Sequence, residues 1–290
     1  MSGRGLAAAG LLAAAAGLAS ASAREPRPAP LPSTSAPASA FAYAGELTQG
    51  GWIRGQAPAG TISARLDDRA LTLDGERRFF AAFDRDAGPS ATLVAQLADG
   101  RTIRASLAVA PRAWDIEHVD VTRTQGKTDE AFLAMRKPEL ARIVAARTIE
   151  SPVDGWKQRF IWPVRGRISG KFGSQRIYKG GDAGAYHSGI DIAPGTGAPI
   201  VAPADGIVVL AAEQPFSLEG HLLIIDHGGG LDSAFLHCDT LKVEVGDKVR
   251  QGQVVATVGM TGRATGPHLH WSVTWRGARL DPLLLAGPMD

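Results

Sequence analysis

The sequence predicts a mainly β protein with a helical segment near its middle. Residues 92–107 alternate apolar and polar side chains on both sides of Asp99-Gly100, which is typical of a β-hairpin. From Ile161 onward, short runs of β-branched and aliphatic residues alternate with glycine-rich turns. Between these regions, apolar residues recur at helical spacing after Pro138. We therefore expect two β regions joined by a partly helical connector.

The first 38 residues have the features of an export signal followed by a tether. Arg4 precedes an Ala/Leu/Gly run that ends at Leu18, and Ala21-Ser-Ala23 is a small-residue cleavage site, so residues 1–23 are predicted to be a signal peptide. The apolar run is shorter than the roughly 20 residues of a membrane span, which favours a cleaved signal over a membrane anchor. Residues 24–38 are rich in proline and alanine and are predicted to form an extended tether. The protein is expected to be exported and to be periplasmic or associated with the cell wall.

The pattern of residues 39–112 predicts a small N-terminal β domain, which we interpret as a β-sandwich. Asp99-Gly100 is expected to form a type I′ turn, in which both central residues take positive φ angles. A second turn is expected at Leu73-Asp-Gly75. Short strands at this spacing are typical of sandwiches.

Residues 113–158 predict a partly helical connector between the two β regions. Pro138 is expected at a helix start, because its fixed φ angle suits the first helical turn and its missing N–H is not needed there. Leu140, Ile143 and Val144 then fall on one face of the helix. That face is expected to dock against a neighbouring domain.

Residues 159–290 predict a mainly antiparallel β domain. The run Val245-Gly-Asp-Lys-Val-Arg-Gln-Gly-Gln-Val-Val resembles the lipoyl and biotinyl carrier domains. A carrier presents its modified lysine in its own hairpin, whereas Lys248 lies elsewhere in the pattern. We interpret the similarity as shared β architecture.

The net charge limits the possible partners of the chain, and the cysteine content limits its covalent cross-links. A formal net charge of +2 is too small to indicate a nucleic-acid partner. Cys238 is the only cysteine, so no intrachain disulfide can form. Neighbours on a strand point to opposite faces, so Cys238 is expected to diverge from His237 and to be a buried apolar residue.

Five residues in the C-terminal region offer imidazole and carboxylate groups, which are ligands that zinc accepts. They are His187, Asp191, His237, His268 and His270. Three protein ligands would leave a fourth position for water, and the two remaining side chains could transfer protons. The other histidines, namely His118, His221 and His227, are interpreted as structural.

The spacing of these residues constrains the backbone. In a straight strand, His187 and Asp191 would lie roughly 13 Å apart, too far to share one metal ion. The chain is therefore expected to bend between them, and Gly189 could permit unusual backbone angles there. His268 and His270 are two residues apart, so on a strand they share a face, where one can bind metal while the other faces substrate.

The runs from His187 to Val208 and from Gly259 to His270 closely resemble the lysostaphin-type, or LytM-type, zinc metallopeptidases. These enzymes cut peptide bridges in bacterial peptidoglycan, and the resemblance covers about residues 160–285. It implies an antiparallel β-sheet peptidase domain and one zinc ion per chain, with peptidoglycan stem peptides as the substrate. It also implies ligand roles for His187, Asp191 and His270, and catalytic roles for His237 and His268.

The resemblance favours an exported zinc endopeptidase that hydrolyses peptide cross-links. The alternative is a non-catalytic regulator or activator of other wall hydrolases, since some relatives have lost metal ligands and act in that way. The sequence has no His-Glu-x-x-His motif and no nucleophile elbow around a serine, which argues against zincin proteases and serine hydrolases. The sequence leaves open which of His237 and His268 is the base, and whether the bond cut is a stem-peptide cross-link or a glycine bridge.

Overall fold

The computed structural model describes residues 40–121 and 130–289. The predicted signal peptide (1–23) and the predicted tether (24–38) lie outside the described residues. The described residues all belong to one compact unit.

The N-terminal β region consists of two antiparallel sheets that enclose a core of large apolar side chains. The first sheet has the strand order β1-β2-β5 and the second has the order β4-β3-β6-β7. Phe79, Phe80 and Leu93 are essentially inaccessible to solvent, and Phe79 and Phe80, as strand neighbours, point to opposite faces of their sheet. The predicted small sandwich therefore corresponds to this pair of sheets. The strands are β1 (Ala42–Gly45), β2 (Trp52–Gln56), β3 (Thr61–Leu66), β4 (Arg69–Ala70), β5 (Arg78–Ala82), β6 (Ser90–Leu97) and β7 (Thr102–Ala108).

The predicted hairpin joins β6 to β7, but its turn differs from the predicted type. Only Gly100 has a positive φ angle (+87°), and Asp99 does not, so the turn is not type I′. Asp99 instead accepts hydrogen bonds from the backbone N–H and the guanidinium of Arg101, which stabilises the turn from its side chain.

The C-terminal region is built on a ten-stranded sheet. Its central order is β16-β13-β14-β15-β18-β11-β9, with β12 and β17 paired beside β15 and β19 paired with β18. All of these pairings are antiparallel, as the sequence predicts. The strands are β9 (Arg167–Gly170), β11 (Ile190–Ala193), β12 (Pro199–Val201), β13 (Gly206–Ala211), β14 (His221–Asp226), β15 (Leu231–Leu241), β16 (Lys248–Val249), β17 (Val254–Val258), β18 (Leu269–Trp275) and β19 (Ala278–Leu280). A separate parallel pair joins β8 (Ile116–His118) to β10 (Gln175–Ile177).

Different parts of the chain pack on the two faces of the large sheet. One face carries Trp271, Val273 and Trp275, which join the main core together with apolar residues of the N-terminal sheets. The opposite face carries Leu222, Ile224 and Ala234, which pack in a smaller cluster with one helix. Successive residues of β18 alternate between these faces, so His270 lies on the face that the helix partly covers.

That helix is α1 (Glu130–Arg147), and it begins earlier than predicted. Pro138 lies inside the helix rather than at its start. Tertiary contacts account for the difference: the guanidinium of Arg136 binds both carboxylate oxygens of Glu219, and Glu139 accepts hydrogen bonds from Ser217. These bonds hold the helix to the connection between β13 and β14 on both sides of the proline, where one backbone hydrogen bond must be missing.

The predicted docking face of α1 is also only partly correct. Ile143 packs against the smaller cluster, whereas Leu140 and Val144 are 46% and 62% exposed. The second helix is α2 (Pro282–Ala286), whose N-cap is Asp281. In the described part of the chain, no helix has both the length and the hydropathy that a membrane crossing requires.

Candidate metal centre

Pairing between β11 and β18 brings Asp191 directly opposite His270. His187 lies just before β11, and its side chain turns toward both. His187 Nε2 lies 3.0 Å from Asp191 Oδ1 and 3.0 Å from His270 Nδ1, while His270 Nδ1 lies 2.9 Å from Asp191 Oδ1. Three ligand-type atoms therefore converge on one partly buried point beside the paired strands β11 and β18.

The convergence depends on two glycines. At Gly189 an added Cβ would lie 2.4 Å from the carbonyl oxygen of Trp271 and 2.7 Å from His270 Nε2. Its φ angle is not in the left-handed region, so the prediction that Gly189 supplies an unusual backbone angle is wrong. The glycine is needed for close approach between β11 and β18. Gly170 has a similar role on β9, because a Cβ there would lie 2.5 Å from Asp191 Oδ2.

The two other predicted histidines lie beside this cluster. The rings of His237 and His268 have centroids 4.8 Å apart, and His237 is 6.5 Å from the ring of His270. His268 Nε2 is 3.8 Å from Asp191 Oδ1. All five residues predicted from the sequence are thus brought into one site.

Backbone carbonyls select which ring nitrogen is available. The Nδ1–H groups of His187, His237 and His268 donate to the carbonyl oxygens of Lys171 (2.9 Å), Thr261 (2.8 Å) and Gly266 (2.8 Å), respectively. Each bond fixes the tautomer and leaves Nε2 with its lone pair. His187 therefore presents Nε2 to the cluster, whereas His270 presents Nδ1.

His237 is held in an uncommon backbone conformation on β15. Its φ angle is +64°, which is unusual for a residue other than glycine. Its N–H donates to the carbonyl oxygen of Glu219 at 2.8 Å, outside the regular ladder, and the pairing of β15 with β14 and β17 shifts register near this point. The bulge turns the ring toward the site, and such strain is often concentrated at functional residues.

The electrostatics of the cluster favour a charged carboxylate. Burial acts to raise the pKa of Asp191, but its close contacts with the rings of His187 and His270 outweigh burial and hold that pKa well below its usual range. Burial acts to lower the pKa of His187, yet the contacts with Asp191 and Lys171 raise it overall. Burial lowers the pKa of both His237 and His270, so these two rings are biased toward the neutral form.

The donor set fits zinc. Two imidazole nitrogens and one carboxylate oxygen form a set that zinc accepts with a fourth position open. No other side chain intervenes between the three atoms, and each is oriented by a neighbouring backbone or strand pairing. A cation at this point would satisfy the charge of Asp191 and the lone pairs of His187 and His270 together.

The residues interpreted as structural lie outside the cluster. His227 is fully buried and contacts the carbonyl of Asp205 and the hydroxyl of Ser233, and burial lowers its pKa to about 4. His221 contacts the carbonyl of Ala212, and His118 is exposed on β8. Cys238 is completely buried, and burial raises the pKa of its thiol to about 12, so it is an apolar core residue rather than a ligand.

Several contributors to the site are not predicted from the sequence. Lys171, Thr261 and Gly266 act through their carbonyl oxygens, which any residue type supplies, so they leave no mark in the sequence. Tyr186 precedes His187, and the guanidinium groups of Arg85 and Arg279 lie 4.9 and 5.5 Å from the centre of its ring. The only sequence feature that could have drawn attention to Tyr186 is that an aromatic residue stands next to a predicted metal ligand.

Comparison with known proteins relates this chain to one peptidase family and to several individual proteins. The family model described as Peptidase family M23 matches residues 185–282. The peptidoglycan DD-endopeptidase ShyA of Vibrio cholerae is 34% identical over 132 residues, which are 46% of this chain and 30% of that protein. The murein hydrolase activator NlpD of Escherichia coli is 35% identical over 133 residues, which are 46% of this chain and 31% of that protein. The chain thus spans less than a third of the length of these two relatives.

A solved structure extends the likeness beyond the matched domain. The crystal structure of a putative peptidase M23 from Pseudomonas aeruginosa superposes with a TM-score of 0.65 at 28% identity, covering 83% of this chain and 96% of that one. The family model spans all five site residues, from His187 to His270. The predicted resemblance to lysostaphin-type peptidases is therefore confirmed: this chain carries a domain of peptidase family M23.

Proposed function

We propose that the protein is an exported zinc-dependent endopeptidase that hydrolyses peptide cross-links of bacterial peptidoglycan. The observation that carries the proposal is the presence, in one site, of a convergent His-Asp-His triad and two further histidines with free Nε2 atoms. A protein that only holds a metal ion needs the triad alone. The additional pair, His237 and His268, is suited to proton transfer.

The chain's own residues account for the chemistry as follows. His187, Asp191 and His270 would hold one zinc ion, which supplies an acidified water and a positive charge that polarises a carbonyl group. His237 is biased toward its neutral form by burial, so its Nε2 is suited to accept a proton at neutral pH. The Nδ1–H of His268 donates to the carbonyl oxygen of Gly266, so His268 presents its Nε2 to the same space as His237 does. One of these rings would accept a proton and the other would return one to the leaving amine.

The second candidate is a non-catalytic activator of wall hydrolases, and the similarity to NlpD of Escherichia coli favours it. The chain is similar to the endopeptidase ShyA at nearly the same identity, so its relatives favour neither the enzyme nor the activator. The proton-transfer pair favours the enzyme, because an activator has no need of it.

Five alanine variants test the proposal on zinc content and on cleavage of purified cross-linked peptidoglycan. His187→Ala, Asp191→Ala and His270→Ala each remove a ligand, so bound zinc and hydrolysis should both be lost. His237→Ala and His268→Ala leave the ligands intact, so zinc should stay near one per chain while hydrolysis falls by about 100-fold or more.

Two results would contradict this assignment. Loss of zinc from His268→Ala with retention by His270→Ala would exchange the proposed roles of these residues. An activator would show no hydrolysis in the wild type, together with stimulation of a partner hydrolase that survives His268→Ala. Mass spectrometry of the released fragments identifies the bond that is cut.

Export is part of the proposal and rests on residues 1–23. Cleavage after Ala23 would leave a mature chain that begins at Arg24. The intact mass of the protein recovered from outside the cytoplasm measures this, and a mass that retains the first 23 residues would contradict it. We expect no nucleic-acid partner and no membrane anchor after cleavage.

A further inference from the structure

A cavity of about 320 Å³ begins at His270 and extends between α1 and the large sheet. Its floor follows β18 through His270, Ser272 and Thr274, which share a face because alternate residues of a strand do so. Leu236 and Ala234 of β15 lie beside them in register. We call this cavity the β18 groove. It offers a path along which a peptide strand could continue from the metal centre.

Charged side chains line the β18 groove. Three of them are arginines, namely Arg136, Arg147 and Arg279, whereas Glu219 is the acidic residue among the lining side chains. An arginine without an acidic partner would attract an anionic group that enters the groove.

Two of these arginines already have acidic partners. Arg136 pairs with Glu219 and also with Glu139. Arg147 lies 3.5 Å from Asp232. Arg136 therefore joins α1 to the connection between β13 and β14, and Arg147 faces a carboxylate of β15.

Arg279 differs from the other two. Within residues 40–121 and 130–289, no carboxylate forms an ion pair with its guanidinium. Asp84 accepts a hydrogen bond from its backbone N–H at 2.9 Å. The guanidinium lies 5.5 Å from the centre of the Tyr186 ring. The side chain therefore contacts an aromatic ring and lacks the carboxylate ion pair that Arg136 and Arg147 have.

The register of the strands fixes where this charge lies. Arg279 on β19 is paired with Thr274 on β18, four residues along the strand from His270. At about 3.3 Å per residue, the backbone of Arg279 lies about 13 Å from that of His270, measured along the strand. An extended peptide has nearly the same repeat, so a carboxylate three or four residues from the bond being cut would reach Arg279.

From this arrangement we propose that Arg279 binds a carboxylate of the peptide substrate and makes the protein prefer acidic stem peptides to an uncharged glycine bridge. The proposal rests on the proposed function, because it assigns the β18 groove to the substrate of that site. A partly desolvated guanidinium forms strong, often bidentate bonds with a carboxylate, and it has no comparable interaction with a neutral amide.

The test compares wild type with Arg279→Gln, which removes the charge but keeps a polar side chain. The probes are two synthetic cross-linked stem peptides, one with free carboxylates and one with every carboxylate converted to carboxamide. For the acidic peptide we expect KM to rise by about tenfold in Arg279→Gln with little change in kcat. For the carboxamide peptide we expect wild type and variant to agree within about twofold.

Two control variants accompany it. Arg250→Gln removes an equal charge from an exposed position outside the groove and should leave both peptides unaffected. Arg279→Lys keeps the charge and should lose less affinity for the acidic peptide than Arg279→Gln. Zinc content near that of wild type shows that the variants retain the metal site.

Binding measurements keep this inference separate from the proposed function. Calorimetric titration of the zinc-free full chain with each peptide gives Kd without cleavage and without a carboxylate binding zinc. An acidic peptide that binds wild type about tenfold more tightly than Arg279→Gln, with no hydrolysis in any form, would support the groove and contradict the enzyme. Equal Kd values for the two proteins, or an equal loss for both peptides, would overturn the role of Arg279.

Discussion

At the scale of single residues, the metal centre combines chemistry that the sequence reveals with spacing that it does not. The residue types predict a zinc site, and the resemblance to lysostaphin-type peptidases is what predicts His187, Asp191 and His270 as its ligands. The space that lets them meet depends on Gly189, whose neighbour Trp271 is 82 positions away along the chain. A contact between strands so distant in sequence leaves no local pattern, so only the bend was predicted and its cause was assigned wrongly.

Gly189→Ala tests that spatial role. The added methyl group would overlap the carbonyl oxygen of Trp271 and the ring of His270, so β11 and β18 must separate. We expect the free energy of unfolding to fall by about 1–3 kcal/mol, as overpacking usually costs, and zinc affinity to fall with it. Gly88→Ala is the control, because nothing lies within 4 Å of its added Cβ. Chemical denaturation and zinc titration measure both effects, and equal behaviour of the two variants would contradict the explanation.

His227 gives a pH-dependent contribution to stability. Its pKa is about 4 in the folded chain, lowered by burial from 6.5, so the unfolded chain takes up a proton over this interval while the folded chain does not. The contribution is complete above about pH 6.5 and is lost as the pH falls toward 4, by up to about 3 kcal/mol.

His227→Gln cannot take up that proton and retains groups for Asp205 and Ser233. Its free energy of unfolding should therefore decline less steeply than that of wild type between pH 6.5 and 4. Denaturant unfolding at several pH values measures the two slopes. Parallel slopes would show that His227 is not the group responsible.

At the scale of secondary-structure elements, strands were predicted more reliably than the helix. The alternation around Asp99-Gly100 specifies both β6 and β7, because each strand has one buried and one exposed face. Helix α1 has a weaker pattern, since Arg136 and Glu139 occupy the face that meets the sheet. A charged docking face is not distinguishable in sequence from a solvent-exposed one, and the prediction therefore began the helix at Pro138.

The ion pair between Arg136 and Glu219 should hold α1 in place. Both side chains are largely buried, at 11% and 16% exposure, so Arg136→Ala leaves Glu219 without its partner. We expect backbone amides of α1 to exchange hydrogen at least about tenfold faster, because local opening becomes easier. Lys137→Ala, on the exposed side of the same helix, should leave exchange unchanged. Mass spectrometry of deuterium uptake over Glu130–Arg147 compares them, and equal uptake would contradict the proposed role of the pair.

At the scale of the whole molecule, the N-terminal sheets and the peptidase domain share one apolar core. The cluster that contains Phe79 and Leu93 continues to Trp271 and Trp275. The sequence predicts the two β regions separately, because each has its own turns and alternation. The packing of one against the other depends on surfaces formed only after both have folded, which is why it was not predicted.

The shared core predicts a single cooperative unfolding transition, and Arg112 provides the means to test it. Arg112 of the N-terminal region pairs at 2.8 Å with Asp281, whose side chain is 5% exposed and also caps α2. Arg112→Ala leaves that buried carboxylate with fewer partners, at a cost of about 1–3 kcal/mol. If the regions unfold together, the midpoint should fall equally whether it is followed by far-ultraviolet circular dichroism or by release of bound zinc.

Arg101→Ala, which removes an exposed hairpin pair with Asp99, should leave the midpoint nearly unchanged. Two separate transitions in wild type, with only one moved by Arg112→Ala, would instead mean that the N-terminal sheets and the peptidase domain unfold independently.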